Sequence, residues 1–347
     1  MAKKSKKLAK RPSKTARRTI RAKAKKARPS AKKARPSQAG KSKSTPKSKG
    51  RPVRPAKRIG FLIAAKRTDW NNYIRAFERK LKQRGWTIGS GTNRVDIDYQ
   101  PANGAAGDPA LLSRYANEFV RNNVDVIVTS GTEASLVCKN ATSTIPIVFA
   151  AAGDPVGSRL VGSLPRPGGN VTGCSNLQAD RAVIDRRINL MRNRLGPTKV
   201  GVIGNNNPRI FPVDAAIDLA WDSLNNAGVA VAPKSLGYFT PYDFRDVATI
   251  QAKLTPLQQD GVDVLYVCSD PVLTAHARDL IRAARNLTMR TMHEIREARG
   301  HGGNQTFGPS FRSLFSKAAE LVDQILRGTL PGDIPVFVPN TFEQNPP

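Results

Sequence analysis

Acidic residues are missing from the first 58 positions of this 347-residue chain, aromatics make up only 6% of it, and cysteine occurs three times. Cys138, Cys174 and Cys268 are an odd number without metal or redox spacing, so they exclude a disulfide framework and read as small buried residues. No segment approaches the ~18 apolar residues of a membrane span. An export signal needs an apolar run of about 7–15 residues, and the N-terminal part offers only scraps such as Leu8-Ala9. The pair Arg17-Arg18 is followed by Thr19-Ile20-Arg21-Ala22-Lys23 rather than by such a run. There is no glycine-rich dinucleotide fingerprint, no phosphate loop and no Gly-x-Ser-x-Gly elbow. His293-Glu294 opens like a zinc-protease helix motif, but Glu297 stands where the second histidine belongs. The three histidines therefore read as surface or turn residues, and no enzyme activity, metal or cofactor is expected.

What is present divides sharply. Residues 1–58 hold 25 of the 57 lysines and arginines, so the other 32 face all 26 acidic residues and the remainder of the chain nets only +6. The first part contains KKARPS twice between Lys25 and Ser37, and prolines at 12, 29, 36, 46, 52 and 55 interrupt any helix. Uncompensated charge with only one leucine and one isoleucine before Pro52 predicts a disordered Lys/Arg/Pro/Ala-rich tail over residues 1–57. Side chains such as Lys25, Lys26, Arg28, Lys32, Lys33 and Arg35 suit phosphates, where counterion release gives sequence-independent, salt-dependent binding. No aromatic stands among them to stack on bases. Non-specific nucleic acid is accordingly a candidate partner, and the bland alternative is a solvated extension.

From Arg58 the pattern changes. Arg58 to Ala65 is a short apolar run bounded by charge, the mark of a buried parallel strand. Tyr73, Ile74, Phe77 and Leu81 then repeat at helical spacing up to Gly85. Strands follow at Val95–Tyr99, Val124–Thr129 and Ile145–Ala150, with helices at Pro109–Asn122 and Glu133–Asn140. A second series has helices at 182–195, 213–226, 244–259 and 273–284, and strands at 200–204, 229–232 and 262–268. Such alternation predicts an α/β fold of two doubly wound Rossmann-like lobes with parallel sheets. The lobes are expected at 58–174, with a return segment at about 305–347, and at 175–304.

Ligands of such sheets bind beyond the carboxyl ends of the strands. The candidate ligand residues there are Thr68, Asp69, Ser130, Gly131, Thr132, Asp154, Asn176, Asn205 and Asp270. The helix opening at Thr132 is a ready site for a carboxylate or phosphate. Thr132, Asp154 and Asp270 also precede predicted helices, so each has at least as good a reading as an N-cap or turn residue.

The run ATSTIPIVFAAAGDPVGSRLVGSLPRPGGNVTG, residues 141–173, resembles the segment that marks the ABC-transporter substrate-binding proteins of the tryptophan/tyrosine-binding-like group. RIGFLIAAK at 58–66, VDVIVTSGT at 124–132 and FGPSFRSLFSKAAELVDQILRGTLPGDIPV at 307–336 are similar to further landmarks of that group. The resemblance covers about residues 58–344. It implies a type I periplasmic-binding fold whose lobes are joined by a hinge and close on a small solute, an amino acid or similar carboxylate. It also implies delivery to an ABC permease and a periplasmic location. It places the 130–132 loop and Gly153-Asp154-Pro155 on the ligand side, and returns strand 305–307 and the final helix to the first lobe. The basic N-terminal segment supports a second expectation, a cytoplasmic ligand sensor tethered to nucleic acid.

Overall fold

The computed structural model describes residues 56–63, 67–101, 109–176, 180–205, 213–340 and 342–344. The tail residues Lys25, Lys26, Arg28, Lys32, Lys33 and Arg35 lie outside them.

The first lobe begins with β1 (Lys57–Ile63), α1 (Arg67–Gln83), β2 (Thr87–Ile88) and β3 (Arg94–Pro101). It continues through α2 (Pro109–Arg121), β4 (Val126–Thr129), α3 (Thr132–Ala141), β5 (Ile147–Ala152) and β6 (Val171–Ser175). The strands form one sheet in the order β2-β3-β1-β4-β5-β6, with every pairing parallel. Strand β1 shows why: its side chains alternate between two buried faces. Ile59, Phe61 and Ile63 join the cluster under α1, whereas Leu62 joins Leu112, Phe119 and Phe149 on the opposite face. Gly60 is needed between them, since a Cβ there would sit 2.6 Å from the Phe119 ring.

The second lobe begins with α4 (Arg181–Leu195), β7 (Lys199–Asn205), α5 (Val213–Asn226), β8 (Ala230–Val231) and β9 (Tyr238–Phe239). After α6 (Val247–Gln259) come β10 (Val264–Val267), α7 (Pro271–Ala275), α8 (Ala277–Asn286), β11 (Arg290–His293) and β12 (Gln305–Gly308). The expected helix 273–284 is thus two helices. Asp270 and Pro271 start the first one early, and His276 separates the pair with a non-helical ψ of 14°. The chain ends with α9 (Phe311–Leu326) and β13 (Glu343–Gln344). The second sheet runs β13-β12-β11-β10-β7-β8, with β9 against β7. It too buries both faces, Leu265 and Val267 toward α6 and α8, Val264 and Tyr266 toward α4 and α5.

The return to the first lobe comes later than the sequence suggested. Strand β12 pairs in parallel with β11, Met292 beside Gln305, so it still belongs to the second sheet. Only α9 crosses over, where Phe311, Leu314 and Phe315 join Trp70, Tyr73 and Phe77 of α1. Residues 334–337 then cover the free edge of β6: Phe337 N donates to Gly173 O at 2.8 Å, and Thr172 Oγ1 donates to Ile334 O at 2.7 Å. Finally β13 goes back to pair antiparallel with β12. The chain therefore passes between the lobes three times, after β6, after β12 and before β13.

All three cysteines are buried and free. Burial pushes the Cys138 thiol up to about 12.

Candidate functional site

The carboxyl ends of β4 and β10 face each other across the lobes. On the first lobe, Ser130 is fully buried and its N–H donates to Leu62 O at 3.1 Å. Gly131 caps α3 with φ 81° and ψ 170°, and no side chain bonds the helix start there. Few residues other than glycine adopt such angles. The start of α3 presents the positive end of its helix dipole at this loop. Thr132 is buried and accepts from Gly153 N at 3.1 Å, which ties this loop to the end of β5. Ser135 reinforces the turn through Gly131 O, at 2.5 Å, and Thr129 Oγ1, at 2.7 Å.

On the second lobe, Asp270 is buried and caps α7, accepting from Val272 N at 2.7 Å and Leu273 N at 3.2 Å. Its neighbour Pro271 lies against Gly131 of the first lobe, where a Cβ on the glycine would be 3.1 Å from the proline Cγ. Asn176, just past β6, donates through Nδ2 to Ser269 Oγ at 3.4 Å. The structure thus brings Ser130, Gly131, Thr132, Asn176 and Asp270 to one interlobe surface. Apolar side chains continue it, because Ile281, Ile295 and Ala298 of the second lobe belong to the cluster built on Trp70 and Phe311.

The other sequence-derived candidates stand differently. Thr68 and Asp69 are exposed in the first turn of α1, where Thr68 Oγ1 donates to Asp69 Oδ1 at 3.1 Å. Asp154 serves a turn, accepting from Gly157 N at 2.8 Å. Asn205 closes β7, and its side chain lies outside the described set.

One histidine departs from the expected surface or turn position. His293 ends β11 fully buried, and burial, with a smaller effect of His301, holds its pKa down to about 3. A small cavity behind Ser269 is lined by His293 and Thr274, whose Nε2 and Oγ1 atoms have no partner among the described residues.

Sequence reasoning also missed a buried ion pair. Arg187 on α4 and Glu294 after β11 are buried, with Nη1 to Oε1 at 3.1 Å. Glu294 also accepts from Tyr266 OH at 2.8 Å and from Ser269 N at 2.7 Å. Arg187 Nε donates to Phe307 O at 2.9 Å. Burial alone would lower the Arg187 pKa, but Glu294 and Tyr266 reverse that and hold it above the ordinary arginine value. The available signal was a charge inside an apolar stripe: Ile184, Arg187, Ile188 and Met191 share the buried side of α4.

Among the described residues no cluster of histidine, cysteine, aspartate and glutamate could hold a metal ion, and no helix is long and apolar enough to cross a membrane.

Comparison with known proteins agrees with this architecture. The Tyrosine-binding protein of Clostridioides difficile (strain R20291) is 26% identical over 297 residues, covering 85% of this chain and 80% of that protein. A crystal structure of a conserved domain protein from Vibrio cholerae O1 biovar eltor str. N16961 is 25% identical. It superposes with a TM-score of 0.71, over 84% of this chain and 91% of that one. The ABC domain in complex with L-Trp from Streptococcus pneumoniae is 20% identical with a TM-score of 0.69, over 84% and 91%, a likeness of fold. A leucine binding protein from Thermotoga maritima shares the two-lobed type I periplasmic-binding fold at a TM-score of 0.55. The family profile described as ABC transporter substrate binding protein matches residues 75–344, and the chain belongs to that family.

Proposed function

We propose that this protein is the solute-binding component of an ABC-type importer, and that it captures an amino acid or similar small carboxylate between its lobes by hinge closure. The observation that carries the reading is the facing pair of loops, Ser130–Thr132 on one lobe and Ser269–Pro271 on the other. A ligand carboxylate near the start of α3, which Gly131 caps without a side chain, would meet the positive end of the helix dipole. The buried carboxylate of Asp270 stands opposite, suited to a ligand ammonium group. Binding both ends at once rewards the closed state by the difference in affinity between closed and open forms. The tyrosine-binding relative supports an amino acid as the ligand class. Delivery to a permease places the working protein outside the cytoplasmic membrane.

Isothermal titration of the full chain with L-tyrosine, L-tryptophan and the other amino acids tests this reading. The expected result is saturable one-to-one binding, with the ligand recovered unchanged. Absence of binding to every amino acid would refute it, and conversion of the ligand would point to an enzyme instead.

A second reading rests on the 25 lysines and arginines of residues 1–58. In it the chain is a cytoplasmic ligand sensor, held on nucleic acid by its N-terminal segment. Fractionation of cells separates the two. Protein outside the cytoplasmic membrane supports the importer, and full-length chain in the nucleoid supports the sensor.

A further inference from the structure

Two charges without solvent sit beside the cleft, and the function proposed above makes no direct use of them. Helix α4, which carries Arg187, begins directly after the first passage between lobes, and Phe307 stands in β12 directly before the second. The guanidinium spans these two chain segments by bonding Phe307 O through Nε, at 2.9 Å, and Glu294 through Nη1, at 3.1 Å. The same carboxylate holds Ser269 N at 2.7 Å, the residue that opens the second-lobe cleft loop. Gly308, the last residue of β12 before the second passage, lies so close to Glu294 that a Cβ there would overlap the Glu294 carbonyl oxygen at 1.8 Å.

Stability alone is a poor account of this arrangement. Burying two opposite charges forfeits hydration that their attraction repays only with good geometry, and well-packed apolar residues often do as well or better. Arg187 even leaves Nη2 without a partner among the described residues. What an apolar pair could not do is fix the direction of the Ser269 N–H relative to Phe307 O, because dispersion has no preferred direction while these hydrogen bonds do.

We propose that Arg187 and Glu294 are positioning residues for ligand capture: their ion pair joins the Ser269–Pro271 loop to the chain flanking the first two passages, so that loop and hinge move as one piece. This rests on the reading of that loop as ligand-facing. Loss of the pair would let the loop shift independently, and closure on a ligand would no longer lock it.

The test uses the full chain with L-tyrosine as probe, at a temperature well below the melting point, so that the folded fraction stays near unity. The double substitution R187M/E294L replaces the charges by apolar groups of similar size. It is expected to fold, yet to bind at least tenfold more weakly, with the change in the dissociation rate. Spin labels at R121C and N225C, one on each lobe, report the ligand-free interlobe distance, which should broaden in the double variant. R187K and E294Q serve if the double variant does not fold, with several-fold weaker binding expected in each. A folded variant with unaltered affinity, dissociation rate and interlobe distances would overturn the proposal. If the native protein binds no amino acid, the proposed ligand class fails, and the spin-label distances still decide the coupling.

Discussion

Gly131 and Pro271 touch across the cleft, the glycine with φ 81° at the start of α3 and the proline as the first residue of α7. Each is the residue its own helix needs. Proline at the first helical position has no N–H to leave unpaired, and glycine takes a backbone conformation that side chains resist. A side chain at position 131 would press on Pro271, so this approach of the two loops depends on its absence.

Gly131→Ala should therefore act twice. The alanine is strained by its backbone angles, at about 1–3 kcal/mol, and its methyl presses on Pro271. The expected outcome is a lower melting temperature together with a ligand affinity reduced beyond what the folded fraction explains. Calorimetry of the variant with L-tyrosine reads both.

Asp270 combines a cap with a charge, and two substitutions separate them. Asparagine caps nearly as well as aspartate, whereas alanine loses about 1 kcal/mol at such a position. Asp270→Asn should thus melt close to the native protein while binding amino acids roughly 10- to 100-fold more weakly, the worth of a hydrogen bond to a charged group. Asp270→Ala should add the loss of stability. Equal affinity in native protein and Asp270→Asn would remove the ammonium role from this residue.

His293 sets an acid limit. Its ring is neutral in the folded protein down to about pH 3, whereas the unfolded ring takes up a proton below the ordinary 6.5. The unfolded state binds more protons throughout that window, so stability falls as pH falls, by up to about 1.4 kcal/mol per pH unit. His293→Gln should flatten this slope between pH 6 and 4. Urea midpoints measured at half-unit intervals give the difference curve, and parallel curves would contradict the assignment.

Deleting residues 1–56 should abolish retention on DNA at low salt and leave amino acid binding unchanged, since the remainder, with 34 lysines and arginines against 26 acidic residues, nets only +8. Retention of the native chain should decline steeply with added salt. A truncated protein that still binds DNA would refute the tail as the polyanion-binding part.

The regular elements were legible where the local pattern and the tertiary demand agree. Helix α5 runs from Val213 to Asn226, the bounds its apolar spacing predicts, and Gly85 ends the α1 region with φ 91°. Strand β6 escaped notice because Val-Thr-Gly-Cys-Ser has little strand character, and it forms because β5 and residues 334–337 flank it. Strand β11 was hidden by the half-exposed Arg290 and by His293, and it forms through its place between β10 and β12. Ser130, Gly131, Thr132 and Asp270 were legible from position alone, since they follow strand ends, and the fold brings them to one interlobe surface. Asp154 shows the limit: the same logic nominated it, and it closes a turn. Arg187 and Glu294 were illegible for a different reason, since 107 positions separate them and only the fold makes them neighbours.

The covering of the first lobe by α9 and residues 334–337 also bears on how the chain is made. Synthesis proceeds from the N-terminus, so β1, α1 and the rest of the first sheet emerge long before the helix that shields Phe61, Trp70 and Phe77. Until residue 326 has left the ribosome this aromatic face has no permanent cover, and the rim of β6 stays unpaired until residue 337. The second lobe, continuous except for β13, has no such delay. The nascent protein therefore passes through a stage with a finished rear half and an open front half, the interval in which a chaperone has most to hold.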